Sequence, residues 1–289
     1  MTALPRVVRR EAHAKINVFL RVLGAREDGY HEIQSLVVPI SLADTVDVEP
    51  AEALRVEVEG APELAGDGPG GLNLALVAAL ALADACPDAA GALVRIRKRI
   101  PVAGGLGGGS ADAAATLHAL NELWGCEVDP LTLAGIGERI GSDVPAMLVG
   151  EPVLMSGRGE RLAPVPCAVL HWVLMDLGFG VRSPDAYRWW DEDGGRTGPD
   201  PEPLLAAAAT GDPRAVGPLL FNDLEAPVVA HHTPIGEAKA RLLEAGALGA
   251  VMSGSGSSVV GLARDEAHVQ GLAAAVGGTP VLGPTAGGG

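Results

Sequence analysis

The 289-residue chain predicts an α+β fold, built as one large domain or as two. Three observations carry this. A strand, a glycine-rich loop and an amphipathic helix succeed one another between residues 92 and 125. Alternating strands fill much of the first sixty residues. After Glu151 the composition changes, and 151–166 reads as strands joining two lobes.

The central stretch is Ile100 to Gly125, IPVAGGLGGGSADAAATLHALNELWG. Glycines at 104, 105, 107, 108 and 109 precede Ser110, and Leu117, Leu120, Leu123 and Trp124 mark a helix that Gly125 ends. Without Cβ atoms, several backbone N–H groups can turn toward one point. The helix start adds its own unpaired N–H groups and positive dipole end. That arrangement favours a phosphate. It is neither a P-loop, because Ala111 rather than lysine follows Ser110's neighbourhood of glycines, nor a dinucleotide fingerprint, because Ser110 stands where the third glycine belongs. The competing reading is a surface loop capped by Ser110. It leaves unexplained why so short a glycine run is pressed against an apolar helix.

Residues 14–22 alternate, with Ile16, Val18, Leu20 and Val22 on one face and Lys15, Asn17, Phe19 and Arg21 on a wet or functional one. Asp28-Gly29 signals a turn, and a second strand runs through Leu36 and Val38. Further strands are expected at Thr45–Glu49 and Leu54–Glu59, then a Gly/Pro loop from Gly60 to Gly71. Asn73–Ala85 reads as a buried helix that Cys86-Pro87 ends. In the strand Ala92–Ile100, Arg95, Arg97 and Arg99 line a solvated face. Lys98 shares the apolar parity of Val94, Ile96 and Ile100, and a nucleotide nearby would account for it.

A helix is expected over Leu131–Ile140. Asp143, before Val144-Pro145, is either a helix N-cap or a carboxylate held by a proline-fixed turn for general-base work. His171–Met175 is a strand leading into GFGVRSPDAY, and 191–203 a polar, mobile excursion. FNDLEAP (221–227) precedes a helix from Thr233-Pro234 to Gly246. Residues 249–252, the SGSGSS loop and 259–263 read as strand–turn–strand, followed by a helix over Asp265–Val276 and a GGG tail.

Composition narrows the function. Hydrophobic residues make up 48%, enough for a full core, and the net charge of −15 argues against nucleic acid as a partner. Only three lysines are present, at 15, 98 and 239. Cys86, Cys126 and Cys167 show no metal spacing and read as buried, reduced thiols. The N-terminus has no apolar signal core, and the longest apolar run, Leu74–Ala83, is too short for a bilayer. A soluble cytoplasmic protein with no membrane partner is expected.

Three segments then converge: AKINVFLRVLGAREDGYHEIQS, PVAGGLGGGSADAA with GSDVP behind it, and MSGSGSSV. Together they resemble the galacto-, homoserine, mevalonate and phosphomevalonate kinase superfamily. AKIN followed by DGYHE resembles its 4-diphosphocytidyl-2-C-methyl-D-erythritol kinase family, in order and spacing from about residue 12 to residue 263. The resemblance implies a two-lobed small-molecule kinase fold. Residues 1–160 would form a ribosomal-protein-S5-like, ATP-binding N-terminal domain, and 161–289 a ferredoxin-like C-terminal substrate domain.

Family roles carry over to matching positions. Lys15 and Asp143 match the catalytic pair. Pro101, Val102, Ala103, Gly104, Gly105, Leu106, Gly107, Gly108, Gly109, Ser110 and Ala111 match the ATP phosphate loop, and Asn73 and Lys98 approach the adenosine. Asn17, Tyr30 and His31 match substrate contacts, with Ser183 and Tyr187 opposite in the second lobe. Ala103 departs from the pattern, since many members have glycine there. The implied reaction moves the ATP γ-phosphoryl group to the 2-hydroxyl of a small-molecule diphosphocytidyl alcohol, with Asp143 as base, Lys15 holding it ionised, and Mg²⁺ as a cofactor whose candidate ligand is Ser110. A kinase for another small alcohol and a non-catalytic nucleotide-binding module are the alternatives. DGYHE argues against the first and retention of Lys15 with Asp143 against the second.

Overall fold

The computed structural model describes residues 6–60, 62–65 and 72–285. In chain order these residues form β1 (Val8–Ala25), β2 (His31–Pro50), β3 (Arg55–Glu59), α1 (Leu74–Ala85), β4 (Ala92–Arg97), α2 (Gly108–Trp124), α3 (Pro130–Ile140), α4 (Val144–Val149), β5 (Val153–Gly157), β6 (Arg161–Pro164) and β7 (Leu170–Met175). There follow α5 (Ser183–Glu192), α6 (Glu202–Thr210), α7 (Pro213–Val216), β8 (Phe221–Asn222), α8 (Glu225–His231), α9 (Thr233–Glu244), β9 (Gly249–Met252), β10 (Val259–Ala263), α10 (Glu266–Val276) and β11 (Thr279–Gly283).

Two sheets result. The first runs β3-β4-β2-β1-β8, with the β5–β6 hairpin also paired to β2; the second runs β11-β7-β10-β9. β2 is one strand where two were expected. Its start pairs with β5 over Ile33–Val37 and its end with β4 over Thr45–Pro50, so both halves have neighbours and the chain stays extended between them. The hairpin β1–β2 carries register shifts at His13/Lys15, Asn17/Phe19 and Val22/Gly24. A shift displaces the alternation, and this corrects the two-faced reading of residues 14–22. Phe19 is fully buried, stacked on Phe221 at 5.4 Å, and Lys15 and Asn17 are 4% and 3% exposed rather than wet.

Helices α1 and α2 are alanine-rich where they meet the first sheet. Ala75, Ala78, Ala79, Ala113, Ala114 and Ala119 are buried there, and their small side chains let backbones approach closely. Asn73 caps α1 through its side chain, which accepts from the N–H of Ala75. Gly125, at φ +65°, ends α2 as expected.

Three expectations are corrected. Cys86, after α1, and Cys126, after α2, are joined as a disulfide with Cα atoms 5.4 Å apart; of the three only Cys167 is a free thiol. Their separation of 40 residues hid that the two packed helices end side by side. The 191–203 segment is pinned rather than mobile. Thr197 donates to the carbonyl of Val22 (2.8 Å), Gly198 N–H donates to Asp223 (3.0 Å), and Arg21 donates to the carbonyl of Gly198 (3.1 Å). Finally α5, α6, α7, β8, α8 and β11 had no expected counterpart. Of the expected Gly60–Gly71 loop, Pro62–Leu64 forms a 3₁₀ turn, while 61 and 66–71, like the GGG tail, lie outside the described residues. Among the described residues no helix is long and apolar enough to cross a membrane.

Candidate active site

Asp143 precedes α4 with backbone angles of −86° and −17°, and its side chain caps nothing. Its carboxylate instead lies 3.3 Å from Lys15 Nζ, across from β1. Of the two readings open in the sequence, the cap is therefore absent. Lys15 is held from three sides. Nζ donates to Asn17 Oδ1 (2.7 Å), Asn17 Nδ2 donates to Ser35 Oγ (2.8 Å), and the backbone N–H of Lys15 donates to the carbonyl of Leu106 (3.0 Å). The lysine side chain is 5% exposed and the aspartate 32%, so the carboxylate is the partner open to the cleft.

The glycine loop is fastened by the late serine loop. Ser253 Oγ donates to the carbonyl of Gly105 (3.1 Å) and accepts from the N–H of Asn17 (3.2 Å), and Ser258 N–H donates to the carbonyl of Gly104 (3.1 Å). Asn222 holds that serine loop through the carbonyls of Met252 and Gly254. The bonds from Ser253 and Ser258 take up the carbonyls of Gly105 and Gly104, and in a trans peptide the N–H that follows each points the opposite way. At Gly105 (φ +78°) a Cβ would lie 2.3 Å from the carbonyl oxygen of Ser253; at Gly107 (φ +69°) it would meet Met147 and Lys15. Ala103 adopts φ +62°, costing about 1 kcal/mol relative to glycine, which accounts for the glycine of the resembling pattern.

A cavity opens on each side of this loop. The smaller, about 200 Å³, is lined by Asn73, Lys98, Pro101, Val102, Ala103, Gly108 and Gly109, with Val58, Leu64 and Leu72 supplying apolar walls. The larger, about 710 Å³, is lined by Lys15, Asn17, Tyr30, His31, Gly105, Gly107, Ser110, Asp143, Ser183 and Tyr187. Of the residues picked for the nucleotide, Asn73, Lys98, Pro101, Val102, Ala103, Gly108 and Gly109 thus face the smaller cavity, while Gly105, Gly107 and Ser110 face the larger one beside the residues picked for the substrate. Gly104 and Leu106 are buried beneath the loop, and Ala111 is buried and lines neither cavity.

In the larger cavity His31 stacks on Tyr187, ring centroids 4.8 Å apart and 18° from parallel. Tyr30 is half exposed, with the Arg158 guanidinium 5.2 Å above its ring. Burial, reinforced by the charge of Asp143, pushes the Tyr187 hydroxyl well above its ordinary range, so it stays protonated. Ser183 Oγ meets Ser255 Oγ at 3.2 Å, joining the start of α5 to the serine loop.

Lys98 has a different setting from the one expected. Nζ donates to Asp44 and to Asp112 Oδ2 (2.7 Å), both carboxylates buried. Burial disfavours its charge, but the two carboxylates outweigh that and hold it above the ordinary lysine range. Burial likewise pushes the Asp112 carboxyl up to about 7, with Lys98 opposing and Asp44 reinforcing the rise. Asp44 also accepts the N–H of Ile100 (2.8 Å), tying the strand end to the loop it feeds.

The N-terminal domain of the GHMP kinases matches residues 73–151, and the GHMP kinase C-terminal domain matches 204–280. The 4-diphosphocytidyl-2-C-methyl-D-erythritol kinase of Symbiobacterium thermophilum is 44% identical over 264 residues, covering 88% of this chain and 90% of that protein. That of Deinococcus radiodurans is 43% identical over 267 residues, covering 92% and 87%. The chain belongs to the 4-diphosphocytidyl-2-C-methyl-D-erythritol kinase family. A crystal structure of 4-(cytidine 5'-diphospho)-2C-methyl-D-erythritol kinase superposes with a TM-score of 0.81 at 38% identity, covering 98% of this chain and 100% of that one. Homoserine kinase from Cytophaga hutchinsonii, at 18% identity and a TM-score of 0.70, shares the fold. The α+β, two-lobed kinase architecture expected from the sequence is thereby shown.

In this family member the sequence reading missed the residues that act on the named ones from a distance in sequence. Ser35 and Ser253 lie inside segments that carried the resemblance but were given no role there, and Asn222 sits in a separate short strand. Asp44 and Asp112 could have been suspected from the misplaced Lys98, because a buried ammonium requires carboxylates.

Proposed function

We propose that the protein transfers the γ-phosphoryl group of ATP to the 2-hydroxyl of 4-diphosphocytidyl-2-C-methyl-D-erythritol, releasing ADP and the 2-phosphate, a step in non-mevalonate isoprenoid precursor biosynthesis. The observation that carries this reading is the Lys15–Asp143 pair at 3.3 Å on the wall of the larger cavity, opposite Tyr30, His31 and Tyr187. ATP would place its adenosine in the smaller cavity and its phosphates across the start of α2. Residues 1–160 would supply the nucleotide site, and residues 161–289 the far wall of the substrate cleft.

Asp143 would take the hydroxyl proton as the new P–O bond forms, and a positioned base of this kind contributes roughly 10²–10⁴-fold. Lys15 pairs with that carboxylate at 3.3 Å and is itself held in place through Asn17 and Ser35. The N–H groups of the glycine loop stabilise charge on the phosphoryl oxygens. Mg²⁺ usually binds through one or two protein oxygens together with substrate phosphates. The Ser110 hydroxyl, in the first turn of α2 on the cleft wall, fits that donor set. Bound there, Mg²⁺ would neutralise phosphate charge. A reaction that consumes ATP supports a cytoplasmic setting. The test is the product: ³¹P NMR of the reaction mixture should show ADP and one new phosphomonoester, and an unchanged substrate spectrum beside free inorganic phosphate would reduce the protein to an ATPase.

A further inference from the structure

His31 opens β2, and its side chain is 10% exposed on the wall of the larger cavity. Three residues of α5 grip its ring. Tyr187 stacks on its face, Trp190 meets it edge-on at 5.8 Å and 87°, and both carboxylate oxygens of Asp191 lie 3.1 Å from Nε2. Positions 187, 190 and 191 follow the i, i+3, i+4 spacing of one helix face, so a single turn of helix holds the imidazole. Trp190 is itself fixed, its indole N–H donating to the carbonyl of Arg196 at 3.1 Å. Asp191 sits in the last turn of α5, where the helix dipole disfavours an anion. Its pairing with His31 offsets that cost.

We propose that Asp191 is a positioning residue that fixes the tautomer of His31, and through it the preference of the cleft for an aminopyrimidine over an oxopyrimidine. The inference rests on the diphosphocytidyl reading of the cleft. A carboxylate only accepts hydrogen bonds, so Nε2 must carry the proton. In the neutral ring Nδ1 is then a bare acceptor, and it makes no hydrogen bond to protein among the described residues. Cytosine offers a 4-amino donor to such an acceptor. Uracil offers a carbonyl oxygen at the same position, and lone pair would face lone pair. The grip of Tyr187 and Trp190 prevents the ring from turning to present its other nitrogen.

The probes are cytidine 5'-diphosphate and uridine 5'-diphosphate, whose affinities calorimetry reads without turnover, together with the ¹⁵N-resolved tautomer of His31. Wild type should hold the Nε2–H tautomer and bind the cytidine nucleotide more tightly by about 100-fold or more, as sites built around a specific hydrogen bond do. Asp191→Ala should give mixed tautomers and cut that ratio by about tenfold, with Asp191→Glu restoring most of it. Asp191→Asn can donate to Nε2, so it should cut the ratio at least as far as alanine. An unchanged tautomer or an unchanged ratio in Asp191→Ala overturns the proposal, even in an enzyme that turns over. Failure to phosphorylate the diphosphocytidyl alcohol, with the ratio responding as stated, would instead overturn the functional reading and leave the tautomer assignment standing.

Discussion

Lys15 and Asp143 face one another at 3.3 Å because Asp143 leaves its own helix uncapped. An aspartate in that position normally satisfies the first N–H groups of the helix. Here the backbone enters α4 already in helical conformation, which turns the side chain away from the helix end and toward β1. Asp143→Asn should therefore cost little stability and should lower kcat by at least about 10²-fold with KM for ATP nearly unchanged. Loss of stability with kcat retained would return Asp143 to a structural role.

Lys15→Ala removes the cation paired with Asp143 and leaves Asn17 Oδ1 without its donor. Steady-state kinetics should show kcat falling further than ATP affinity. A change confined to ATP affinity would make Lys15 a phosphate ligand.

Gly105→Ala places a Cβ 2.3 Å from the carbonyl of Ser253 on a left-handed backbone. The left-handed conformation alone costs ~1–2 kcal/mol, so ATP affinity should fall by about tenfold or more while the diphosphocytidyl substrate still binds. Calorimetry with each ligand separates the two, and equal loss of both would mean the fold had failed rather than the loop.

Much of this was legible because local pattern carried it. The glycine loop announced its helix in one stretch, and Asn73, Asp129 and Asp265 each cap the helix that follows as their residue types dictate. Illegible were features made by distant segments meeting. Cys86 and Cys126 look unrelated until α1 and α2 lie together. The bulges that bury Phe19 depend on β2, and the tether of 191–203 depends on Val22 and Asp223. Asp191, within a run of polar residues, looked solvated until α5 set it against His31.

Lys98 tests how far a position can be read from its parity alone. Its two buried carboxylates account for it without a ligand, so Lys98→Met should destabilise the fold by about 3–5 kcal/mol by leaving Asp44 and Asp112 unpaired. Urea denaturation reads this directly. A stable variant with weakened ATP binding would instead make the lysine a nucleotide contact.

The Cys86–Cys126 bond closes a loop spanning 40 residues, which in the chain-entropy account is worth about 3–4 kcal/mol. Protein purified without reductant and then unfolded should expose one thiol, Cys167, and reduction should lower the melting temperature. Three reactive thiols before reduction would show the bridge to be open.

ADP release across a panel of alcohols tests the central claim most directly. Purified protein with ATP and Mg²⁺ should release ADP with 4-diphosphocytidyl-2-C-methyl-D-erythritol, and at background rates with homoserine, mevalonate and phosphomevalonate. Release driven equally well by one of those three, or by none of the four, would contradict the account.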